Sequence, residues 1–401
     1  MFKSKLKSLI MGLSLTLMAC GLILFPQDSF EASKNGLNMW WQVVFPSLLP
    51  FLILSELLIS FGVVKFLGVM LEPLMRPLFR VPGAGGFVWA MGLASGFPAG
   101  AKFTARLRQE EQLTRIEAER LVCFTNSSNP LFIFVAVSVG FFHNAKIGII
   151  LALAHYLGNV LVGFIMRFYG RKEEEHRSAK QLNRLPSLRE AFSQMHKTRI
   201  REKRPFGKLL GDAVISSINT QLMIGGFIIL FSVISEVLVH LHLSSMIAEG
   251  SHWLLALFSF PEALGLPVIS GLFEMTLGAN LISETKEATL VQQIVLTSFI
   301  LAFSGFSIQA QVASIIADTD IRFFPFFAAR ILQGIISAII AYLVCLYMGR
   351  DGISASALPV SGWIEREASP YYQSMIEMGP LFTLFFLTLY VIIFSRRIVM
   401  K

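Results

Sequence analysis

Polar residues set inside apolar runs carry most of the chemistry this chain can offer. The stretch FTNSSNPLF, Phe124 to Phe132, interrupts an apolar segment with Asn126, Ser127, Ser128, Asn129 and Pro130. Proline lacks an N–H and clashes with the preceding turn, and Asn and Ser bond locally in preference to helix, so a helix breaks here. A broken helix presents a half-helix N-terminus whose unpaired N–H groups and positive dipole end suit an anion. A second interruption, AFSGFSIQAQ, supplies Ser304, Ser307 and Gln309. Serine and glycine kinks also serve helix packing alone, but two breaks at matched places favour solute binding.

Two more runs frame these breaks. SGFPAG, with Gly96, Pro98 and the following Lys102, and LPVISGLFEMTLG, with Glu274, Thr276 and the nearby Asn280, read as re-entrant hairpins. Irregular backbone at membrane depth requires protein or a wet cavity to satisfy its polar groups. Lys102 is either a solute contact or a charge snorkelling to the interface. Glu274, deep in its hairpin, must be protonated, paired or hydrated.

Four ionisable residues lie within apolar spans: Glu56, His155, Glu236 and Arg330. Arg330 is the strongest candidate ligand for an anionic solute, because a guanidinium binds a carboxylate in a bidentate way. Its structural alternative is an ion pair with Glu56 or Glu274. Glu56, Glu236 and His155 are candidates for proton coupling.

The elements that must position these residues are membrane helices. With 54% hydrophobic and 15% charged residues and a mean hydropathy of +0.64, the chain has more apolar surface than a soluble core can use. The net charge of +8 lies mostly beside apolar spans, which reads as topological charge, not as nucleic-acid binding. Cys20, Cys123 and Cys345 are far apart and within apolar stretches, so neither a disulfide framework nor a metal site is expected. No catalytic motif is present and no cofactor is expected, so the chain reads as non-enzymatic.

About eight spans meet the length needed to cross a bilayer: roughly 8–26, 38–62, 118–142, 147–169, 210–240, 289–317, 323–348 and 379–395. The hairpins occupy 83–101 and 261–283. Placing both termini in the cytoplasm puts every Lys/Arg cluster on one side, the strongly basic 170–209 segment included. The first span is read as retained, although a signal peptide or a lipoprotein site at Cys20 are alternatives.

The chain also resembles itself. FLILSELL (Phe51 to Leu58) recurs as FSVISEVL (Phe231 to Leu238), GLASGFPAGA as GLFEMTLGA, and Ala154-His155 as Ala329-Arg330, with the offset falling from 180 to 175. Repeats with Gly and Pro breaks point to a transporter with its site between two halves. The expected fold is all-α and polytopic: an N-terminal helix and outer loop (1–37), a first repeat (38–169), a basic linker (170–209), an inverted second repeat (210–348), and an outer loop with a final helix (349–401).

GLASGFPAGAKF, FTNSSNPLFIFVAVSVGFF and GLFEMTLGAN resemble the nucleoside-recognition, or Gate, family, and nearly the whole chain is similar to the sporulation integral membrane proteins of endospore formers. The resemblance implies a multi-pass protein of the mother-cell-derived membrane around the forespore that moves a small anionic solute, dipicolinic acid, toward the forespore. It also leaves open a nucleoside or other small metabolite as the solute, or a non-transporting scaffold. Homo-oligomers or other sporulation membrane proteins are the further partners it allows.

Overall fold

The computed structural model describes residues 2–171, 187–250 and 252–353, which fall in the compact unit Met1–Ser354. Among these residues the regular elements are helical: seventeen α-helices, two π-helical stretches and one 3-10 turn. The expected final span at 379–395, most of the outer loop and residues 172–186 of the basic linker lie outside the described residues.

Among the described residues four helices are long and apolar enough to cross a membrane: α8 (Ala145–Met166), α10 (Phe206–His240), the run Leu290–Ile316, and α17 (Phe323–Ile353) over Phe323–Met348. Two bent pairs bring the number to six if each pair counts as one span. Helix α1 (Phe2–Leu24) turns by 102° into α2 (Pro26–Met39), and α3 (Phe45–Ser60) turns by 84° into α4 (Val63–Phe79). Gly62, at φ 76°, makes the second turn, a backbone region that glycine enters without a Cβ penalty. The expected span at 118–142 is divided. Helix α7 (Arg115–Thr125) carries Glu117, Glu119 and Arg120, and a π-helix follows at Phe132–Phe141.

Polarity is distributed inside out. On α8, Leu153, Leu157, Leu161 and Ile165 form an exposed apolar stripe at four-residue spacing, and α17 repeats it with Ile331, Ile335, Ile339 and Leu343. The opposite faces bury His155, Asn159, Arg330, Gln333 and Ser337. An apolar exterior over a polar interior is what a lipid solvent selects, since polar groups in hydrocarbon must find partners in the protein.

At both expected hairpins the chain forms two packed helices joined by a short turn. Helices α5 (Ala84–Ser95) and α6 (Ala99–Gln109) are joined at Gly96–Pro98, and α13 (Gly265–Phe273) and α14 (Met275–Glu284) are joined at Glu274. Both expected breaks form as well. Residues Asn126–Asn129 separate α7 from the π-helix, and Ser304 in the left-handed region separates α15 (Leu290–Phe303) from α16 (Gly305–Ile316). Helices α7 and α15 each begin with a capping box, Thr114 with Glu117 and Thr289 with Gln292, in which side chain and backbone satisfy each other's orphan donors. The offset between these boxes is 175, the same as between His155 and Arg330.

Contacts between the segments follow an exchange pattern. Helix α7 packs on α17 while its counterpart α15 packs on α8. The outgoing arm of each hairpin, α6 or α14, packs on the second half of the other segment's broken helix, α16 or the π-helix.

Candidate functional site

The first break is where hairpin, broken helix and both crossing helices meet. Gly92 and Gly100, one on each arm of the first hairpin, press on the carbonyl of Thr125, and a Cβ at either would overlap that backbone oxygen. Gly96, at φ 83°, lies over Asn129, whose Nδ2 donates to the Ser95 carbonyl at 3.3 Å and whose Oδ1 accepts from Phe132 N at 2.7 Å. Asn126 Oδ1 accepts from Ala101 N at 3.4 Å, and Ser127 Oγ donates to the Gly92 carbonyl at 3.5 Å. The Phe97–Pro98 peptide is cis. Asn126, Ser127, Ser128, Gly96 and Pro98 are all buried.

Breaking a helix orphans carbonyls on one side and N–H groups on the other. His155 and Arg330, at equivalent sequence positions, serve these two polarities. His155 Nε2 accepts from Ser128 N at 3.0 Å, on the N–H side. Arg330 Nη1 donates to the Asn126 carbonyl at 2.8 Å and its Nη2 to the Cys123 carbonyl, on the carbonyl side. Arg330 Nη2 also reaches Asn159 Oδ1 at 3.4 Å, and the guanidinium carbon sits 5.3 Å from the Phe326 ring centroid. An Nε2 that accepts an amide hydrogen leaves the imidazole proton on Nδ1. Gln333 and Ser337 complete the crossing by donating to the carbonyls of His155 and Ala154.

Arg330 is therefore enclosed, at 0% exposure, and two of its nitrogens are committed to backbone. No carboxylate pairs with it among the described residues, so the structural alternative of an ion pair with Glu56 or Glu274 is not what is found. Glu56 is held instead by Lys102 at 2.9 Å and Arg106 at 2.5 Å, with Ser216 Oγ donating at 3.0 Å. Lys102 is thus neither a snorkelling charge nor placed at the break; it ties α6 to α3. Glu236, expected within an apolar environment, is 40% exposed and lies 3.2 Å from His240, which also faces Asp28 at 3.5 Å. Both glutamates sit one turn from the end of their helix; the difference is in their neighbours, since Glu56 faces Lys102 and Arg106 of the first hairpin whereas Glu236 faces His240.

The second break is built differently. Gly305 presses on the tip of the second hairpin, where a Cβ would lie 3.1 Å from Met275 N and 3.2 Å from the Phe273 carbonyl. Glu274 caps α14, accepting from Leu277 N at 2.7 Å, so a built-in carboxylate occupies that helix N-terminus. Thr276 and Ser307 are buried as well. Ser304 Oγ and Gln309 Nε2 both donate to the Phe303 carbonyl, at 2.6 and 3.1 Å. Asn280 stands apart, donating to Glu284 at 3.1 Å.

Several buried polar atoms at the breaks have no protein partner: Ser95 Oγ, Asn126 Nδ2, Asn159 Nδ2, His155 Nδ1 and Arg330 Nε around the first, Gln309 Oε1 at the second. Such groups in a low-dielectric interior are costly unless a ligand completes them. Asn159 and Gln333 were not anticipated from sequence, although each lies about one helical turn from His155 or Arg330 on the same face. Outside the spans, Arg108 grips Asp320 through two hydrogen bonds of 2.8 and 2.7 Å, joining α6 to the loop before α17. That hydrogen bonding holds the Asp320 carboxyl below its usual range.

Two helical hairpins seated on two broken helices, under a lipid-facing apolar shell, define a polytopic membrane protein with an internal polar site. Residues 41–144 match the family described as Gate: nucleoside recognition. The chain is 53% identical over 408 residues to the sporulation integral membrane protein YlbJ of Bacillus subtilis (strain 168), covering 98% of each chain. It belongs to this family of sporulation integral membrane proteins. No solved structure matches it.

Proposed function

We propose that this protein transports a small anionic solute, dipicolinic acid, out of the mother cell toward the forespore, by alternating access between two inverted repeats. The observation that carries the reading is the pair of hairpin tips seated on broken helices, with unpartnered Ser95 Oγ, Asn126 Nδ2, Asn159 Nδ2 and Arg330 Nε gathered at one of them. All four can donate hydrogen bonds, and carboxylate oxygens are acceptors only. The matched capping boxes and the exchange pattern of helix contacts support two related halves. Inversion rests on the charge distribution beside the spans.

Transport is favoured over catalysis by what the reactive groups touch. His155 and Glu274, the pair an intramembrane hydrolase would use, are each engaged by a backbone amide, Ser128 N and Leu277 N. A second reading, a nucleoside or related metabolite as solute, is favoured by the Gate match over 41–144 and by the acceptor Gln309 Oε1. Flux into proteoliposomes separates the two. Movement of dipicolinate that uridine does not compete supports the first; movement of uridine without dipicolinate overturns it. Movement of neither, in protein shown to be folded, favours a scaffold.

A further inference from the structure

We propose that helix α9 (Leu188–Arg201) lies flat on the membrane surface and holds anionic phospholipid headgroups on its free face. The helices around it fix its place. A continuous helical run from Trp40 to Ser60 is roughly 30 Å long, enough to cross the hydrocarbon core by itself. Helix α4 leaves that run at 84°, so it travels along the membrane plane and not through it. Helix α9 packs along α4 in the opposite direction: the Phe66 and Phe192 ring centroids lie 5.0 Å apart, and a Cβ on Gly62 would lie 2.7 Å from Thr198 Cβ. Only Glu202–Pro205 separate α9 from α10, whose Phe206 ring lies 6.2 Å from Phe61 at the turn between α3 and α4. A crossing helix therefore anchors one end of α9, and an in-plane helix supports its length.

The face that α9 turns away from α4 is both apolar and basic. Ala191 is buried against the fold, whereas Leu188 and Phe192, one turn apart, are 59% and 54% exposed and Ile200 is 64% exposed. Helical spacing puts Arg199 on the side of Leu188 and Phe192, and Arg189 and His196 on the adjoining side with Ile200. Arg189 and Arg199 are exposed, and no carboxylate pairs with either among the described residues. Beyond the helix end, Glu202 and Asp212 are both taken by Arg204, at 2.7 Å each. Glu190 falls on the opposite side of the helix from Phe192. The headgroup level of a bilayer satisfies both characters of this face: the apolar side chains enter the acyl boundary while arginine stems carry guanidinium groups to phosphate. An anionic lipid supplies that phosphate without the cationic group that a zwitterionic headgroup would bring to the same arginines. Topological charge alone asks for Lys and Arg beside a span, and not for Leu188, Phe192 and Ile200 in the open among them.

Site-directed fluorescence on the full chain in lipid vesicles tests this. In a Cys20→Ser background the remaining thiols, Cys123 and Cys345, are buried, so a dye attached to Phe192→Cys or to Gln194→Cys reports one position. In vesicles of equal phosphatidylglycerol and phosphatidylcholine, the dye at 192 should be quenched by spin-labelled lipid and shielded from aqueous acrylamide. The dye at 194, on the far side of the helix, should show the reverse. Arg189→Gln and Arg199→Gln should each lower the ratio of lipid-contacting to free α9 roughly fivefold, and vesicles of phosphatidylcholine alone should lower it at least as far as the two substitutions together. Equal access of acrylamide to 192 and 194 in the mixed vesicles overturns the proposal and leaves this face to a protein partner. Lipid quenching at 192 that is the same with and without phosphatidylglycerol also overturns it. If Phe192→Cys does not fold, Leu188→Cys on the same face replaces it with the same outcomes.

Discussion

Replacing Arg330 by methionine isolates what the buried guanidinium does. The substitution keeps an unbranched apolar stem and removes the donors to the Asn126 and Cys123 carbonyls. Each stranded carbonyl costs about 1–3 kcal/mol when left buried without a partner. Two of them give roughly 2–6 kcal/mol, and relief of burying an unpaired cation offsets part of this, so the expected loss is about 2–4 kcal/mol. Arg330→Lys keeps the charge but not the fork, and should fall between parent and Met variant. Thermal unfolding in detergent reads the stability, and equilibrium binding of dipicolinate reads the site. A backbone staple loses stability first, with binding falling because Asn126 is no longer held. An unchanged melting temperature together with lost binding would refute the staple and leave the solute contact through Nε as the whole role of Arg330.

Four further outcomes are expected. Glu56→Gln should destabilise by about 3 kcal/mol, because Lys102 and Arg106 lose their shared carboxylate, and Lys102→Met in the same chain should recover part of the loss in a double-mutant cycle. Gly92→Ala should cost about 1–3 kcal/mol by forcing a methyl against the Thr125 carbonyl, measured as a fall in melting temperature that Gly226→Ala, in open space within a helix, does not produce. Glu274→Ala should cost about 0.5–2 kcal/mol through loss of the α14 cap, whereas Glu274→Gln, which can still accept from Leu277 N, should unfold near the parent temperature. Because the Asp320 carboxyl is depressed by Arg108, their contact contributes fully above the ordinary value of 3.8 and is lost as the pH falls below it; the pair is exposed, so Asp320→Asn should lower stability near neutral pH by at most about 1 kcal/mol and flatten the acid limb of a stability-versus-pH curve.

Local chemistry made the breaks and hairpins legible. Asn126 to Pro130 and Ser304-Gly305 disfavour a continuous helix, and Gly96 and Pro98 favour a turn, so these positions were readable without coordinates. Amphipathic surface helices were not. Helix α9 (Leu188–Arg201), which packs on α4, looks in sequence like charged loop because its Lys and Arg residues dominate the hydropathy. The partner of Arg330 was also hidden. Sequence says that an arginine in an apolar span needs an acceptor, but backbone carbonyls are the same at every residue and leave no mark in the letters. Lys102 misled for the opposite reason: adjacency to SGFPAGA placed it beside the first hairpin tip, whereas its long stem carries the ammonium to Glu56.

The crossed arrangement at the first break bears on how a duplicated gene can gain chemistry. Two copies of one ancestral unit, assembled as separate chains, would carry the same residue at the position now held by His155 and Arg330. A pair of histidines could not grip two carbonyls, and a pair of arginines could not accept the Ser128 amide hydrogen. Once the two positions differ, one can act as an acceptor and the other as a donor. On this view it is the difference between the two positions that lets one part of the chain hold open a kink in another.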